Sequence, residues 1–256
     1  MNTAGRLLSI YDKLVGTGRG NDIAMVKVWA EVFGLTPDSP TAEDDVVTCL
    51  QALRAEMDNL RVKLLALNTP ENLMQPGLTR FRNVSSTSNL NAGWNGFRDE
   101  ISKPENRLVF AWADWTLRDD SEEDMCQEQF DELMSEIDSL EASLRDTEMA
   151  LYLRDFVQRQ VDAIRTALRI YRVQGVRPIE AALHQVAGAY TLEKSRLEAA
   201  QSVASESEKS VLSRMGGLVE KAARVADQID KIRKAGEGAY GLAKTVLPLL
   251  ASYVSG

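Results

Sequence analysis

The sequence predicts an all-α protein: a helical bundle with a long antiparallel, coiled-coil-like helical hairpin in its C-terminal half. Three long segments carry apolar residues at alternating spacings of four and three, the heptad period of packed helices. Only 16 glycines and 7 prolines are spread over 256 residues, which indicates few turns and long elements. With 44% hydrophobic and 27% charged residues, the composition is that of an ordinary globular protein.

Residues 1–118 are expected to form an N-terminal helical region. Its first two helices are predicted over residues 3–15 and from Ile23 to Phe33, the second ending at Gly34. Thr41 is the expected N-cap of a third helix, because acidic residues follow it. That helix carries the first apolar seam: Val46, Leu50, Leu53, Met57, Leu60, Leu64 and Leu67.

The segment 69–106 differs in kind, being rich in Ser, Asn, Thr and Gly with embedded aromatic residues. No helical or strand period persists in it, and we expect an ordered, irregular segment with short helical turns. A helix should begin at about Glu105 and carry Leu108, Trp112 and Trp115 on one side.

The predicted hairpin occupies residues 119–235. Its first arm is expected to start at a Ser121 cap and to continue to residue 174 as one helix, since neither Gly nor Pro interrupts it. Gly175 and Pro178 place the turn at about 174–178. The second arm should bend at Gly216–Gly217 and carries the seam Val211, Met215, Leu218, Ala222, Val225, Ile229 and Ile232.

Charge favours pairing of the two arms. Residues 119–148 hold 13 acidic residues and one basic residue, whereas residues 209–234 hold seven basic and three acidic residues. Folding the chain back at about residue 176 pairs position i with roughly 352 − i, so that residue 137 faces residue 215 and opposite charges meet. A compact alternative, in which both arms bend and wrap an N-terminal bundle, stays open.

No catalytic, cofactor or metal site is predicted. His184 is the only histidine. Glu180, four residues before it, is the only other potential metal ligand at helical spacing from it. A net charge of −8 argues against a nucleic-acid partner. Cys49 and Cys126 form no CxxC pair, which is typical of reduced cysteines, and we expect a cytoplasmic protein.

The C-terminal tail, residues 236–256, contains the glycines Gly236, Gly238 and Gly241 near its start and is apolar from 239 to 254. It is shorter than a membrane-spanning helix and contains Lys244 and Pro248. We expect it to pack on the body of the protein or on another copy, with reversible membrane insertion as the alternative. The residues expected on its apolar face are Leu242, Val246, Leu249, Leu250 and Tyr253.

Arginines alternate with aromatic residues between 78 and 115, which is typical of a recognition surface. The candidate surface consists of Arg80, Phe81, Arg82, Trp94, Phe97, Arg98 and Arg107. The leading function is a non-enzymatic, self-assembling scaffold that binds a protein partner or itself. One alternative is a membrane-acting effector of toxin or bacterial defence type that uses the tail, and another is an enzyme or binder of small anions that uses residues 78–115.

Overall fold

A computed structural model describes residues 1–17 and 22–229. No β-strand occurs in these two ranges, so the all-α prediction is confirmed. The elements of the described chain are α1 (Thr3–Gly16), α2 (Met25–Phe33), α3 (Ala42–Ala66), α4 (Glu71–Val84), a 3₁₀ turn (Thr87–Asn89), α5 (Asn95–Ile101), α6 (Pro104–Thr116), a second 3₁₀ turn (Arg118–Asp120), α7 (Gln127–Asp146), α8 (Leu151–Gln174), α9 (Arg177–Ser202) and α10 (Glu206–Ile229).

The chain divides into two compact units. Unit 1 comprises Met1–Glu122 together with Arg172–Gly175, and unit 2 comprises Glu123–Tyr171 together with Val176–Gly256. Unit 2 is described as far as residue 229. The predicted division into 1–118, 119–235 and 236–256 stays a prediction.

The first three helices of unit 1 form where the apolar pattern predicts them. α2 ends at Gly34, whose φ of 69° is a left-handed conformation that glycine adopts without strain. The α3 seam is fully buried up to Leu64, whereas Leu67 is 53% exposed. The expected cap differs, because the Thr41 side chain makes no capping bond and its hydroxyl donates to Asp45 instead.

The prediction of an irregular segment over 69–106 is wrong, since α4 and α5 cover most of it. Pro76 lies inside α4, where proline normally costs a helix about 3 kcal/mol. Local composition therefore argues against a helix here. Tertiary burial of Met74, Leu78 and Phe81, which share one face of α4, compensates for that cost.

Aromatic rings fill the centre of unit 1. The ring centroid of Phe81 lies 5.7 Å from that of Tyr11 and 5.3 Å from that of Phe110, both in edge-to-face arrangement. The Tyr11 hydroxyl donates to the Ile101 carbonyl. Burial, reinforced by the neighbouring Asp12 carboxylate, raises the pKa of Tyr11 to about 12.

A buried cation joins separate parts of unit 1. The Arg6 guanidinium donates to Glu56 and to Glu122, each at 3.1 Å, and to the Met1 carbonyl at 3.0 Å. The Arg6 side chain is 4% exposed and that of Glu56 is fully buried. Gly175, with a φ of 70°, packs on this group so closely that a Cβ atom there would lie 2.5 Å from Glu122 Oε2.

The described part of unit 2 is an antiparallel four-helix bundle, and the single long hairpin is not confirmed. The predicted first arm is two helices, α7 and α8, and the second arm is α9 and α10. α10 packs on both α7 and α9. Ion pairs link α8 to α7 through Arg165 and Asp138, at 2.8 Å, and α8 to α9 through Arg159 and Glu193, at 2.9 Å.

Contacts between α7 and α10 lie close to the expected pairing positions. Lys221, whose expected partner is position 131, forms an ion pair with Glu132 at 2.8 Å and another with Glu136. Arg214, whose expected partner is position 138, donates to Ser139 and Ser143. Hydrogen bonds to the two glutamates raise the pKa of Lys221. One further expectation is wrong, since α7 begins after Cys126 instead of Ser121. α10 runs through Gly216–Gly217 without a break, and a bend there stays a prediction.

Glu208 holds together the end of unit 2 where both arms break. One carboxylate oxygen accepts from the Ala150 backbone N–H at 2.9 Å, just before α8. The other accepts from the Ser205 N–H at 2.7 Å, and the Ser205 hydroxyl accepts in return from the Glu208 N–H at 3.3 Å. This reciprocal pair is a capping box. The backbone donors lower the pKa of Glu208.

We expect Gly77→Ala to destabilise unit 1 by about 1–3 kcal/mol through overpacking. A Cβ atom at Gly77 would lie 2.8 Å from Val109 Cγ2 and 3.0 Å from its Cβ. Gly188→Ala is the matched control, since no atom lies within 4 Å of its Cβ position on α9. This control should stabilise the chain by about 1 kcal/mol through helix propensity. Urea unfolding followed by circular dichroism measures both; equal effects would contradict the close packing of α4 on α6.

We expect Glu208→Gln to cost about 1 kcal/mol at neutral pH, because two N–H donors lose a charged acceptor. A lowered pKa in the folded state gives stability above the unfolded value of about 4.3, which is lost as pH falls through the folded pKa. The difference from wild type should therefore vanish in acid. Glu206→Gln is the control, since that side chain is 91% exposed. A pH-independent difference between wild type and Glu208→Gln in urea unfolding would contradict this role.

Candidate interaction surface

Helix α6 is fixed at its start by proline and asparagine. Pro104 occupies the first turn, where its missing N–H is not needed. The Asn106 side-chain amide, which is buried, donates to the carbonyls of Glu100 at 2.8 Å and Ile101 at 3.2 Å. These bonds tie the end of α5 to the first turn of α6. The rotation of α6 about its own axis is therefore set from its first turn onward.

One face of α6 belongs to the core of unit 1. Val109, Phe110 and Ala113 are buried on it. α1 packs against α6 at the glycine Gly5, where a Cβ atom would lie 2.7 Å from the Asp114 carboxylate. These contacts turn the opposite face outward.

The outer face of α6 is apolar as well. Leu108 is 62% exposed, Trp115 is 69% exposed, and Trp112 between them is half-buried. Spacings of four and three residues align the three side chains along about 10 Å of helix. Exposed large apolar side chains that adjoin one another are typical of a contact surface, whereas single ones are common.

Helix α4 lies alongside α6 and runs antiparallel to it. Arg80, near the end of α4, pairs with Glu100, which precedes the start of α6. Gly77, one turn earlier in α4, packs on Val109, further along α6. The beginning of α4 therefore lies beside the end of α6.

Leu73 extends the apolar face beyond α6. It precedes Gly77 by four residues and so shares the side of α4 that meets α6. On α6, Trp112 follows Val109 by three residues and so lies toward the side of α6 that meets α4. Leu73 is 55% exposed. We define the α6 face as Leu73, Leu108, Trp112 and Trp115.

A cation borders the α6 face. The Arg118 guanidinium carbon lies 4.6 Å from the Trp115 ring centroid, and the same group donates to the Trp115 carbonyl at 3.1 Å. Within the described ranges, no carboxylate lies within ion-pair distance of Arg118. The Arg118 charge is thus held at the edge of an apolar surface.

Two residues of the sequence-predicted surface are in the core, which corrects that part of the prediction. Phe81 and Trp94 are fully buried. The Trp94 indole N–H donates to the Thr17 carbonyl at 3.1 Å. The aromatic residues of this segment thus pack inward, because they fill the centre of unit 1, and Phe97 is half-buried.

The arginines of that predicted surface are paired with acidic residues. Arg80 pairs with Glu100, Arg82 with Asp58, Arg98 with Asp99 at 3.5 Å, and Arg107 with Asp12 through two hydrogen bonds of 2.8 Å. The Asp12 carboxylate raises the pKa of Arg107. Exposed pairs of this kind add little stability. They neutralise the local charge, and a binding role for these arginines and for Phe97 stays a prediction.

Three of the four residues of the α6 face follow one another at helical spacing in the sequence. Leu108, Trp112 and Trp115 are visible there as one side of the helix. The spacing of Val109, Phe110 and Ala113 gives α6 a second apolar side. The core of unit 1 covers only one of these two apolar sides, and the other side stays exposed at the surface.

The remaining sequence hypotheses concern metals, membranes and the tail. Among the described residues, no group of three or more His, Cys, Asp or Glu is arranged to hold a metal ion. No helix in residues 1–17 and 22–229 is long and apolar enough to cross a membrane. The predicted tail face, residues 242–253, lies outside the described residues.

Comparison with protein-family models, with curated proteins and with solved structures finds no match to this chain.

We expect Trp115→Phe to remove the tryptophan most accessible to a soluble quencher. Trp29 and Trp94 are fully buried, so acrylamide should reach mainly Trp115 and, to a smaller degree, Trp112. The Stern–Volmer slope should fall more for Trp115→Phe than for the control Trp112→Phe. Stability should change by less than about 0.5 kcal/mol, because the position is on the surface. An unchanged slope would show that Trp115 is covered in solution.

Proposed function

We infer that this chain is a non-enzymatic helical interaction protein, and that a protein partner docks on the α6 face. The exposure of Leu108 and Trp115, at 62% and 69%, is the observation that carries this proposal. Both side chains stand on a helix whose opposite side is locked into the core, so the surface is preformed. A preformed surface binds without the entropic cost of ordering it.

The composition of the α6 face resembles the centre of a protein interface. Tryptophan is among the residues most enriched at positions that dominate binding energy. Burying one fully exposed leucine gains about 1.5–3 kcal/mol, and a tryptophan has a larger apolar area. The two leucines and two tryptophans of the α6 face therefore provide enough apolar surface for a modest but specific contact.

The chemistry of the partner follows from the edge of the face. Arg118 holds its guanidinium over Trp115 and donates a hydrogen bond to the Trp115 backbone carbonyl. A carboxylate on the partner would form a charge-assisted pair with Arg118 once water is excluded. The partner best suited to this surface is an apolar protein segment, such as an amphipathic helix, that carries an acidic residue beside its apolar stripe.

The charges elsewhere in unit 1 support the choice of the α6 face. The arginines of the segment 78–107 have acidic neighbours within the chain, so a ligand would have to compete for them. Binding at the α6 face involves no such competition, because its side chains are apolar and form no ion pair that a ligand would have to break.

The test compares the wild-type chain with Leu108→Glu/Trp115→Glu as bait in native extracts, with bound proteins quantified by mass spectrometry. Val62→Glu on α3 is the matched control, because Val62 and Leu108 are equally exposed at 62%. A partner of the α6 face should be recovered by wild type and by the control, and its affinity for the double variant should fall at least about 30-fold.

Titration of the purified partner provides the quantitative measurement. Binding should reduce acrylamide quenching of Trp115 and should weaken in Arg118→Gln, which keeps the size of the side chain but removes its charge. The proposal is wrong if no protein distinguishes wild type from the double variant, or if every such protein also loses binding to Val62→Glu.

A further inference from the structure

Unit 2 has a surface groove that the α6 proposal does not use. It has a volume of about 840 Å³ and lies between the first half of α8 and the second half of α9. Its lining residues are Leu151, Tyr152, Asp155, Gln158, Arg159, Glu193 and Arg196. All of them belong to unit 2.

Leu151 lines this groove and faces water, as do Leu192 on α9 and Val203 directly after α9. Leu192 is 88% exposed, Val203 is 84% exposed and Leu151 is 77% exposed; these are the three highest exposures of large apolar residues in the described ranges. α8 and α9 bury their other faces in the core of unit 2. These exposed apolar residues therefore do not contribute to the core of unit 2.

A bonded network fixes the floor of the groove. The Tyr152 hydroxyl donates to Glu193 at 2.8 Å, and Arg159 donates to the same carboxylate at 2.9 Å. The guanidinium of Arg196 stacks on the other side of this network, 3.8 Å from the Tyr152 ring centroid. Burial, followed by the hydrogen bond to Glu193, raises the pKa of Tyr152. Tyr152 and Glu193 thus hold each other in place.

Two opposite charges line the groove without meeting each other. Arg196 on α9 and Asp155 on α8 are both exposed. In the part of the chain that the structure describes, neither has an oppositely charged side chain within ion-pair distance. The carboxylate nearest to Arg196 in this network, that of Glu193, is shared by Tyr152 and Arg159. The groove therefore offers one free cation and one free anion.

We propose that this groove is a self-association interface occupied by a second copy of the chain, with Arg196 pairing with Asp155 of the partner subunit. A two-fold interface brings the same patch together twice, so each contact between unlike residues occurs in both directions. A surface that carries one unpaired positive and one unpaired negative group side by side is complementary to itself. Two copies satisfy both charges twice.

The apolar residues fit the same arrangement. Leu192 precedes Arg196 by one turn on α9, and Leu151 precedes Asp155 by one turn on α8. When the copies run antiparallel, α9 of one copy runs parallel to α8 of the other. Pairing Arg196 with Asp155 of the partner subunit then places Leu192 and Leu151 of the partner subunit at the same level along the helices, diagonally across the interface. One register thus satisfies the charges and the leucines together, which is why a second copy fits better than an unrelated acidic or basic partner.

Charge reversal tests the proposal on the full-length chain, with mass measured by light scattering after size-exclusion chromatography over a range of concentrations. Wild type should pass from the monomer mass of 28.4 kDa to twice that mass as concentration rises. Arg196→Asp alone and Asp155→Arg alone should each weaken association about tenfold or more, because like charges then face each other. An equimolar mixture of the two variants should recover the dimer, because each variant supplies the charge that the other lacks.

Several outcomes overturn the proposal: a wild-type mass of 28.4 kDa at every concentration, a dimer that neither reversal weakens, or a mixture that stays monomeric. Circular dichroism verifies that both variants are folded, as expected for exposed positions. Leu192→Glu should also abolish the dimer, whereas Val62→Glu, on unit 1, should not. The double variant of the α6 face should keep the dimer, so that failure of this proposal and failure of the partner proposal are told apart.

Discussion

The fold of unit 1 depends on the buried guanidinium of Arg6. It binds the carboxylates of Glu56 on α3 and of Glu122, which follows the second 3₁₀ turn by two residues, together with the Met1 carbonyl. A buried pair of this kind gains little net stability over an apolar cluster, but it strongly disfavours any packing that separates the charges. Residues 172–175 enter unit 1 at this point, because only a glycine allows the backbone to lie against Glu122 and Arg6. Specificity of assembly, more than stability, is what Arg6 contributes.

Unit 2 follows a different constraint, which is the burial of apolar surface on helices too long to be covered by one partner. Its two arms break at 147–150 and at 203–205, which are mirror positions about the turn at 175–176. A hairpin folded in half at these points places four helices around one core instead of two helices along one seam. Glu208 stabilises the fold-back, since its carboxylate caps both helices that restart there.

The candidate surfaces show why arginines and aromatic residues that adjoin in sequence need not act together. Phe81 and Trp94 are buried in the core, whereas the neighbouring arginines form ion pairs with acidic residues on α1, α3 and α5. Spacing along a helix can reveal the stripe of Leu108, Trp112 and Trp115. No local sequence pattern, however, predicts that Val109 is on the buried side of the helix. The groove between α8 and α9 is even harder to predict from sequence, because Asp155 and Arg196 are 41 residues apart.

The sequence by itself determined the helical class, the seams of α3 and α10 and the approximate pairing of α7 with α10, because these follow from residue spacing and from the segregation of charge. It also contained the Ser205–Glu208 capping box, although the surrounding serines obscured it. Tertiary structure alone decided that residues 147–150 end a helix without glycine or proline. The reason is physical: the N–H group released at Ala150 is satisfied by a carboxylate 58 residues away, and no local pattern records a partner at that distance.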